Sequence, residues 1–189
     1  MTIAPSKLLT YEDYLAEDDD NRRYDILDGV RYYMGPTRQH QEILLNVAEN
    51  FRFFQKKFRQ GRTIISPCDI LISYAPLRTR QPDVFFISCE QLAKNGQATD
   101  PTPLFVAPEL VVEILSPSDT KRVLHDKLDD YAKVGVREAW IIDQDLQNIE
   151  VLRFTPDGIE TAAIYGSDET AISLTFPDLS VAVADIFAT

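Results

Sequence analysis

A chain of 189 residues with 44% hydrophobic and 26% charged side chains has the composition of an ordinary globular protein, which excludes a disordered or coiled-coil chain. The length suits one domain, 1–189, with a single sizeable core, and no stretch approaches the length of a membrane-spanning helix. A net charge of −11 excludes a protein whose whole surface grips nucleic acid, because phosphate binding leaves a basic footprint.

The charge is unevenly spread. Residues 49–80 carry Arg52, Lys56, Lys57, Arg59, Arg62, Arg78 and Arg80 against Glu49 and Asp69, a balance of +5; residues 135–189 carry two basic and ten acidic side chains, a balance of −8. The first segment is a candidate contact for a polyanion. Its bland alternative is a solvated surface whose cations complement a helix end. The start, MTIAPSKLLTYEDYL, lacks the basic and apolar regions of a secretory signal, so a cytoplasmic location is expected. Cys68 and Cys89 show neither metal-ligand spacing nor a framework pattern and are expected as reduced thiols packed in a core.

In chain order, Thr10 ahead of Glu12 and Asp13 predicts a capped short helix, broken by AEDDDN. YDILDGV and RYYM read as two strands around the Asp28-Gly29 turn, a hairpin. From Thr37 to about Gln60, Ile43, Leu44, Val47, Phe51, Phe54 and Phe58 recur at helical spacing, predicting a long core helix ended by Gly61. RTIISPCDILISY, RQPDVFFIS and PELVVEILS follow as three strands expected in one sheet. SPSDTKRVLHDKLDDYAKVG predicts a second helix, capped by Ser118 or Asp119 and stopped by Gly135. REAWIID reads as a central strand, and NIEVLRF, GIETAAIYG and the tail add late strands and a short helical turn. The pattern predicts a mixed α/β fold: a central sheet of mixed direction flanked by helices, with an N-terminal hairpin and extra C-terminal strands.

The stretch VVEIL, residues 111–115, places Glu113 inside a strand that otherwise reads as buried on both faces. A carboxylate there is costly unless a cation, a metal or hydrogen-bond donors receive it. Asp83, after Pro82 and before three apolar residues, is a second carboxylate entering the core. Two such groups repel unless a cation lies between them, and a hard divalent ion with oxygen ligands answers that need. Lys127 lies within the stripe of Leu124, Leu128, Tyr131 and Val134 and therefore faces the sheet, where it can pair with Glu113 and position a water against a phosphodiester. The plainer alternatives are a turn-capping Asp83, a snorkelling Lys127, and a Glu113 paired with Arg137.

These residues also carry a resemblance. Pro82-Asp83, VVEILSPS at 111–118 and KLDDYAKVGVREAWIID at 127–143, with RRYDILDGV and GPTRQHQEILL earlier, resemble the Uma-two family of restriction endonucleases, within the PD-(D/E)xK nuclease superfamily, over roughly residues 8–187. The resemblance implies a restriction-endonuclease-like fold and metal ligation by Asp83, Glu113 and the Ile114 carbonyl. Where the superfamily's usual lysine would stand this chain has Leu115, and the resemblance implies that Lys127 supplies the ammonium. It further implies site roles for Asp25, where glutamate is expected, and for His40. Val123 stands where an acidic residue is expected.

The expectation is a Mg²⁺-dependent endonuclease, with Mn²⁺ as a substitute, acting on nucleic acid and in the first place DNA, away from membranes. A homodimer matches the two-fold symmetry of a duplex. The alternative is a nuclease-fold module that no longer cuts and serves binding or assembly; a third reading is hydrolysis of another phosphate ester.

Overall fold

The computed structural model describes residues 8–17, 22–94, 103–116 and 120–188. The chain opens with α1 (Tyr11–Ala16), where Thr10 and Asp13 cap each other reciprocally, the expected N-cap. Strands β1 (Tyr24–Leu27) and β2 (Val30–Tyr33) form the predicted hairpin, with Asp28 and Gly29 both at positive φ, 51° and 80°. That geometry belongs to a two-residue turn whose twist matches the flanking strands. Part of the expected helix break, residues 18–21, lies outside the described residues.

Helix α2 (Arg38–Phe58) buries Ile43, Leu44, Val47, Phe51 and Phe54 along one face, as its spacing requires. It ends earlier than expected: Arg59 adopts the left-handed conformation at φ 55° and caps the helix. Gly61 instead opens β3 (Gly61–Ile65), and for a packing reason. A Cβ there would lie 2.3 Å from the Ile87 carbonyl oxygen and 2.6 Å from the Phe86 ring.

The run 62–74 is not one strand. It divides into β3 and β4 (Ile70–Tyr74), and these join different sheets. With β5 (Leu77–Arg80), β6 (Val84–Ser88), β7 (Leu110–Ile114), β8 (Glu138–Asp143), β9 (Asn148–Thr155) and β10 (Gly158–Tyr165), the orders are β2-β1-β5-β4 and β10-β9-β8-β7-β6-β3. The expectation of three consecutive strands in one sheet is corrected accordingly. The larger sheet is mixed, since β7 and β8 run parallel and its other pairs antiparallel.

Two helices cover that sheet on opposite faces. Val84, Phe86, Val112 and Trp140 meet Val47, Phe51 and Phe54 of α2 on one side. Phe85, Val111, Ala139 and Ile141 meet Leu128 and Tyr131 of α4 (Lys121–Val134) on the other. The alternation follows from the two-residue period of strands. Thr120 caps α4, while the expected caps Ser118 and Asp119 lie outside the described residues; Gly135 ends the helix at φ 93°, as predicted. A short α3 (Cys89–Lys94), strands β11 (Thr170–Ile172) and β12 (Ser180–Ala182), and α5 (Val183–Phe187) complete the order. Both thiols are free, and half-buried Cys68 packs against the core as expected, whereas Cys89 is exposed and corrects the expectation at that position. Among the described residues no helix is long and apolar enough to cross a membrane.

Candidate active site

The site follows from strand register. Val84 of β6 pairs with Val112 of β7, and continuing that antiparallel register by one residue sets Asp83 across from Glu113. Residues directly opposite on such a pair project to the same face. Both carboxylates are buried, and the Ile114 N–H donates to Asp83 Oδ2 at 2.7 Å, fixing one side chain to the end of the other's strand.

Glu113 has found its partners. Lys127 Nζ donates to Oε2 at 2.6 Å, and the Tyr131 hydroxyl donates to Oε1. Lys127 and Tyr131 stand four residues apart, one turn along the face of α4 turned to the sheet. Lys127 is only 8% exposed, so the snorkelling alternative does not describe it, and Glu113 pairs with Lys127 in place of Arg137. Asp83 Oδ1 meets the Arg23 guanidinium and lies 3.1 Å from His40 Nε2. His40 reaches it from the first turn of α2, where Thr37 caps the helix.

Asp25 is brought close by β1 but is engaged elsewhere. It accepts from Arg80 Nη1 at 2.8 Å and from the Gln81 N–H at 3.0 Å. Arg80 also donates from Nε to Asp130 at 2.8 Å and contacts Asp126, while Arg78 donates to the same two acids at 2.6 Å each. Asp126 and Asp130 immediately precede Lys127 and Tyr131, so these arginines clamp α4 in the rotation that aims both site residues at Glu113.

The electrostatics pull the two carboxyls apart. Burial pushes Asp83 up, but His40, Arg23 and Lys127 outweigh it and hold the group below the usual carboxylate range. Burial dominates at Glu113 and raises it, with Lys127 opposing and the Asp83 charge adding to the rise. Burial alone would lower Lys127; Glu113 and the neighbouring aspartates raise it instead, so it remains an ammonium donor. Facing titratable groups with divergent shifts are characteristic of acid–base and metal chemistry.

A shallow pocket lined by Glu113, Ile114, Leu115, Val123, Leu124 and Lys127 opens the site to solvent. Val123, the departure from the expected acid, thus sits at its mouth. Among the described residues no three His, Cys, Asp or Glu side chains converge as a metal cage. The donor set nonetheless suits a hard divalent cation. It offers two carboxylates on facing strands, and among the described residues the buried Asp83 Oδ1 has no aligned hydrogen bond. Mg²⁺ commonly takes only one or two carboxylates and keeps its waters.

No cation of the basic segment 49–80 lines the pocket of this site. Arg78 and Arg80 turn inward to the acids just described. Lys56, Lys57 and Arg59 stand 16 to 19 residues beyond His40, roughly 25 Å along α2 by its rise per residue, near the other end of the sheet. Sequence reasoning missed Arg23 and Tyr131. The signal for Tyr131 was available, since a tyrosine in a core stripe requires an acceptor for its hydroxyl.

A central mixed sheet flanked by helices is of restriction-endonuclease-like architecture. The chain belongs to the Uma2 family, whose model, described as "Putative restriction endonuclease", matches residues 8–184. Among solved structures the chain is similar to the crystal structure of "a putative nuclease belonging to DUF820 from Anabaena variabilis ATCC 29413", with a TM-score of 0.75 and 18% identity, over 95% of this chain and 97% of that one. At that identity the likeness establishes the fold. No curated protein matches the chain.

Proposed function

We propose that this protein is a metal-dependent endonuclease that hydrolyses phosphodiester bonds of DNA. The observation that carries the reading is the facing pair Asp83 and Glu113, buried, pulled to opposite sides of the carboxylate range, and met by a buried lysine. The family description and the fold support nuclease chemistry. Asp83, Glu113 and the Ile114 carbonyl would hold Mg²⁺ or Mn²⁺, which when bound supplies charge neutralisation at the phosphoryl group and acidifies water.

The chain's own residues have separate tasks. Lys127 retains its proton and therefore orients an attacking water and offsets phosphoryl charge, rather than abstracting a proton. Tyr131 fixes the second oxygen of Glu113. His40 holds Asp83 and presents an imidazole beside it. Asp25 acts through Arg80 as a positioning residue for α4. A homodimer in which each protomer cuts one strand completes the reading, and light scattering giving a 21.5 kDa monomer would remove that part.

The test is incubation of supercoiled plasmid and linear single strands with Mg²⁺, Mn²⁺ or EDTA, beside Glu113→Ala and Lys127→Ala. Metal-dependent cutting lost in both folded variants is the expected result; intact substrate throughout refutes the reading. A second reading, a non-cutting binding or assembly module, draws on Val123 at the pocket mouth and on the engagement of Asp25 by Arg80. Under it Mg²⁺ leaves the melting temperature unchanged, whereas a ligand of the folded state must raise it.

A further inference from the structure

Arg23 is the cation at this site that neither the sequence pattern nor the proposed chemistry uses. It stands one residue ahead of β1, with its guanidinium Nη1 on Asp83 Oδ1, the oxygen that lacks an aligned hydrogen bond. Its other donors are weakly engaged. Among the described residues, Nη2 reaches the Gln81 carbonyl only at 3.4 Å, and the buried Nε has no hydrogen-bond partner. Its side chain is 11% exposed and so borders solvent.

The other arginines nearby are differently placed. Arg78 and Arg80 are each locked by acids, Lys56 and Lys57 of α2 stand at the far end of the sheet, and the exposed Arg38 at the start of α2 pairs with Glu42 one turn along the same helix. Among the described residues Arg23 thus combines one carboxylate partner with spare donors, and it has a path to solvent. Its charge occupies the flank of Asp83 that a divalent ion needs, and two cations on one carboxylate oxygen repel. A guanidinium released there carries a planar fork that matches phosphate oxygens.

We propose that Arg23 is a two-position residue: without metal it neutralises Asp83, and when a divalent cation takes that carboxylate it turns to a phosphate of the bound nucleic-acid strand. The inference rests on the metal-dependent reading above and assigns the phosphate contact within that site. It requires that metal and nucleic acid bind with positive coupling, and that Arg23 carry the coupling.

The experiment measures Mn²⁺ binding by electron paramagnetic resonance for the parent, Arg23→Gln, Arg23→Lys and Asp83→Asn. It adds anisotropy titrations of a duplex oligonucleotide with non-hydrolysable linkages, with and without Mn²⁺. Arg23→Gln is expected to bind Mn²⁺ about tenfold more tightly than the parent, in the ordinary range of site coupling. The gain in oligonucleotide affinity on adding Mn²⁺ should shrink in the same variant. Arg23→Lys, which keeps the charge but not the fork, should bind Mn²⁺ like the parent yet show the reduced coupling.

Melting curves exclude a merely unfolded variant: Arg23→Gln should melt below the parent without metal and regain more on adding Mn²⁺. Arg38→Gln, which removes an exposed charge near the start of α2, should change none of these readouts. Equal or weaker Mn²⁺ binding by Arg23→Gln overturns the proposal. If Asp83→Asn still abolishes Mn²⁺ binding, the site reading survives that failure; if neither parent nor Arg23→Gln binds Mn²⁺, both fall.

Discussion

Replacing Arg80 with leucine tests whether the arginine clamp sets the site. Arg80 is 1% exposed, and its loss falls unequally on three acids. Asp130 retains Arg78 at 2.6 Å and Lys133 at 3.0 Å, and the half-exposed Asp126 retains Arg78. Among the described residues, Asp25 retains the Gln81 N–H as its hydrogen-bond donor. Asp25 also keeps the more distant charges of Lys127 and Arg23, so the cost stays at or below that of breaking a buried ion pair, about 3–5 kcal/mol. At about 2–4 °C per kcal/mol for a chain of this size, melting should fall by up to roughly 6–20 °C. Urea unfolding at neutral pH, with the slope checked for constancy, measures the loss. Asp25→Asn in the Arg80→Leu background should recover part of it, with a coupling of about 0.5–3 kcal/mol. Because Asp126 and Asp130 adjoin Lys127 and Tyr131, cutting by Arg80→Leu should fall even at temperatures where the variant is folded. A loss below about 1 kcal/mol, or no recovery on adding Asp25→Asn, would show that the acids find other partners and that α4 needs no clamp.

Lys127→Met should cost about 3–5 kcal/mol by leaving Glu113 buried with only Tyr131, and Lys127→Met/Glu113→Gln should regain stability but not cutting; melting curves and plasmid assays separate the two. Gly61→Ala should cost about 1–3 kcal/mol in urea unfolding, because its Cβ meets backbone and a ring edge rather than flexible side-chain ends. Asp69 gives a pH prediction. Burial raises its carboxyl above the usual range against hydrogen bonds from Tyr14 and Gln81. A folded-state value above the unfolded one means the unfolded chain loses that proton first as pH rises, so stability from this group falls between about pH 4 and the folded value. Asp69→Asn should therefore be more stable than the parent at pH 7 and indistinguishable from it at pH 3, by melting temperature.

Local chemistry made much of the fold legible. The Asp28-Gly29 turn, the Thr10 and Thr37 starts, the stripe of α2 and the Gly135 stop are each decided within a few residues. The division of strands between sheets was not, because it depends on which distant partner each strand finds. The segment 62–74 looked continuous, yet β3 pairs with β6 while β4 pairs with β5 across the connector 66–69. The same limit hid Arg23, whose partner Asp83 stands 60 positions away and is reached only through the assembly of both sheets. Lys127 and Glu113 were legible because each broke its own local pattern, a lysine in an apolar stripe and a glutamate in an apolar strand.

Breaking a pattern does not by itself mark a site, as a second glutamate demonstrates. Glu138, fully buried on β8 beside β7, is as anomalous in REAWIID as Glu113 is in VVEIL. Its oxygens accept from Trp140 Nε1 at 2.7 Å, Ser173 Oγ at 2.8 Å, and the Leu174 and Thr175 N–H groups at 3.1 and 2.8 Å. Those donors are neutral, and two are backbone, so the carboxylate ties the chain after β11 to the sheet. Glu113 instead meets a long cationic side chain and a hydroxyl from one helix, beside a pocket and across from a second carboxylate. A buried carboxylate satisfied by backbone is a fastening. One satisfied by a lysine and a tyrosine, across from an aspartate with its own arginine, is a site whose charges can rearrange around a metal and a phosphate.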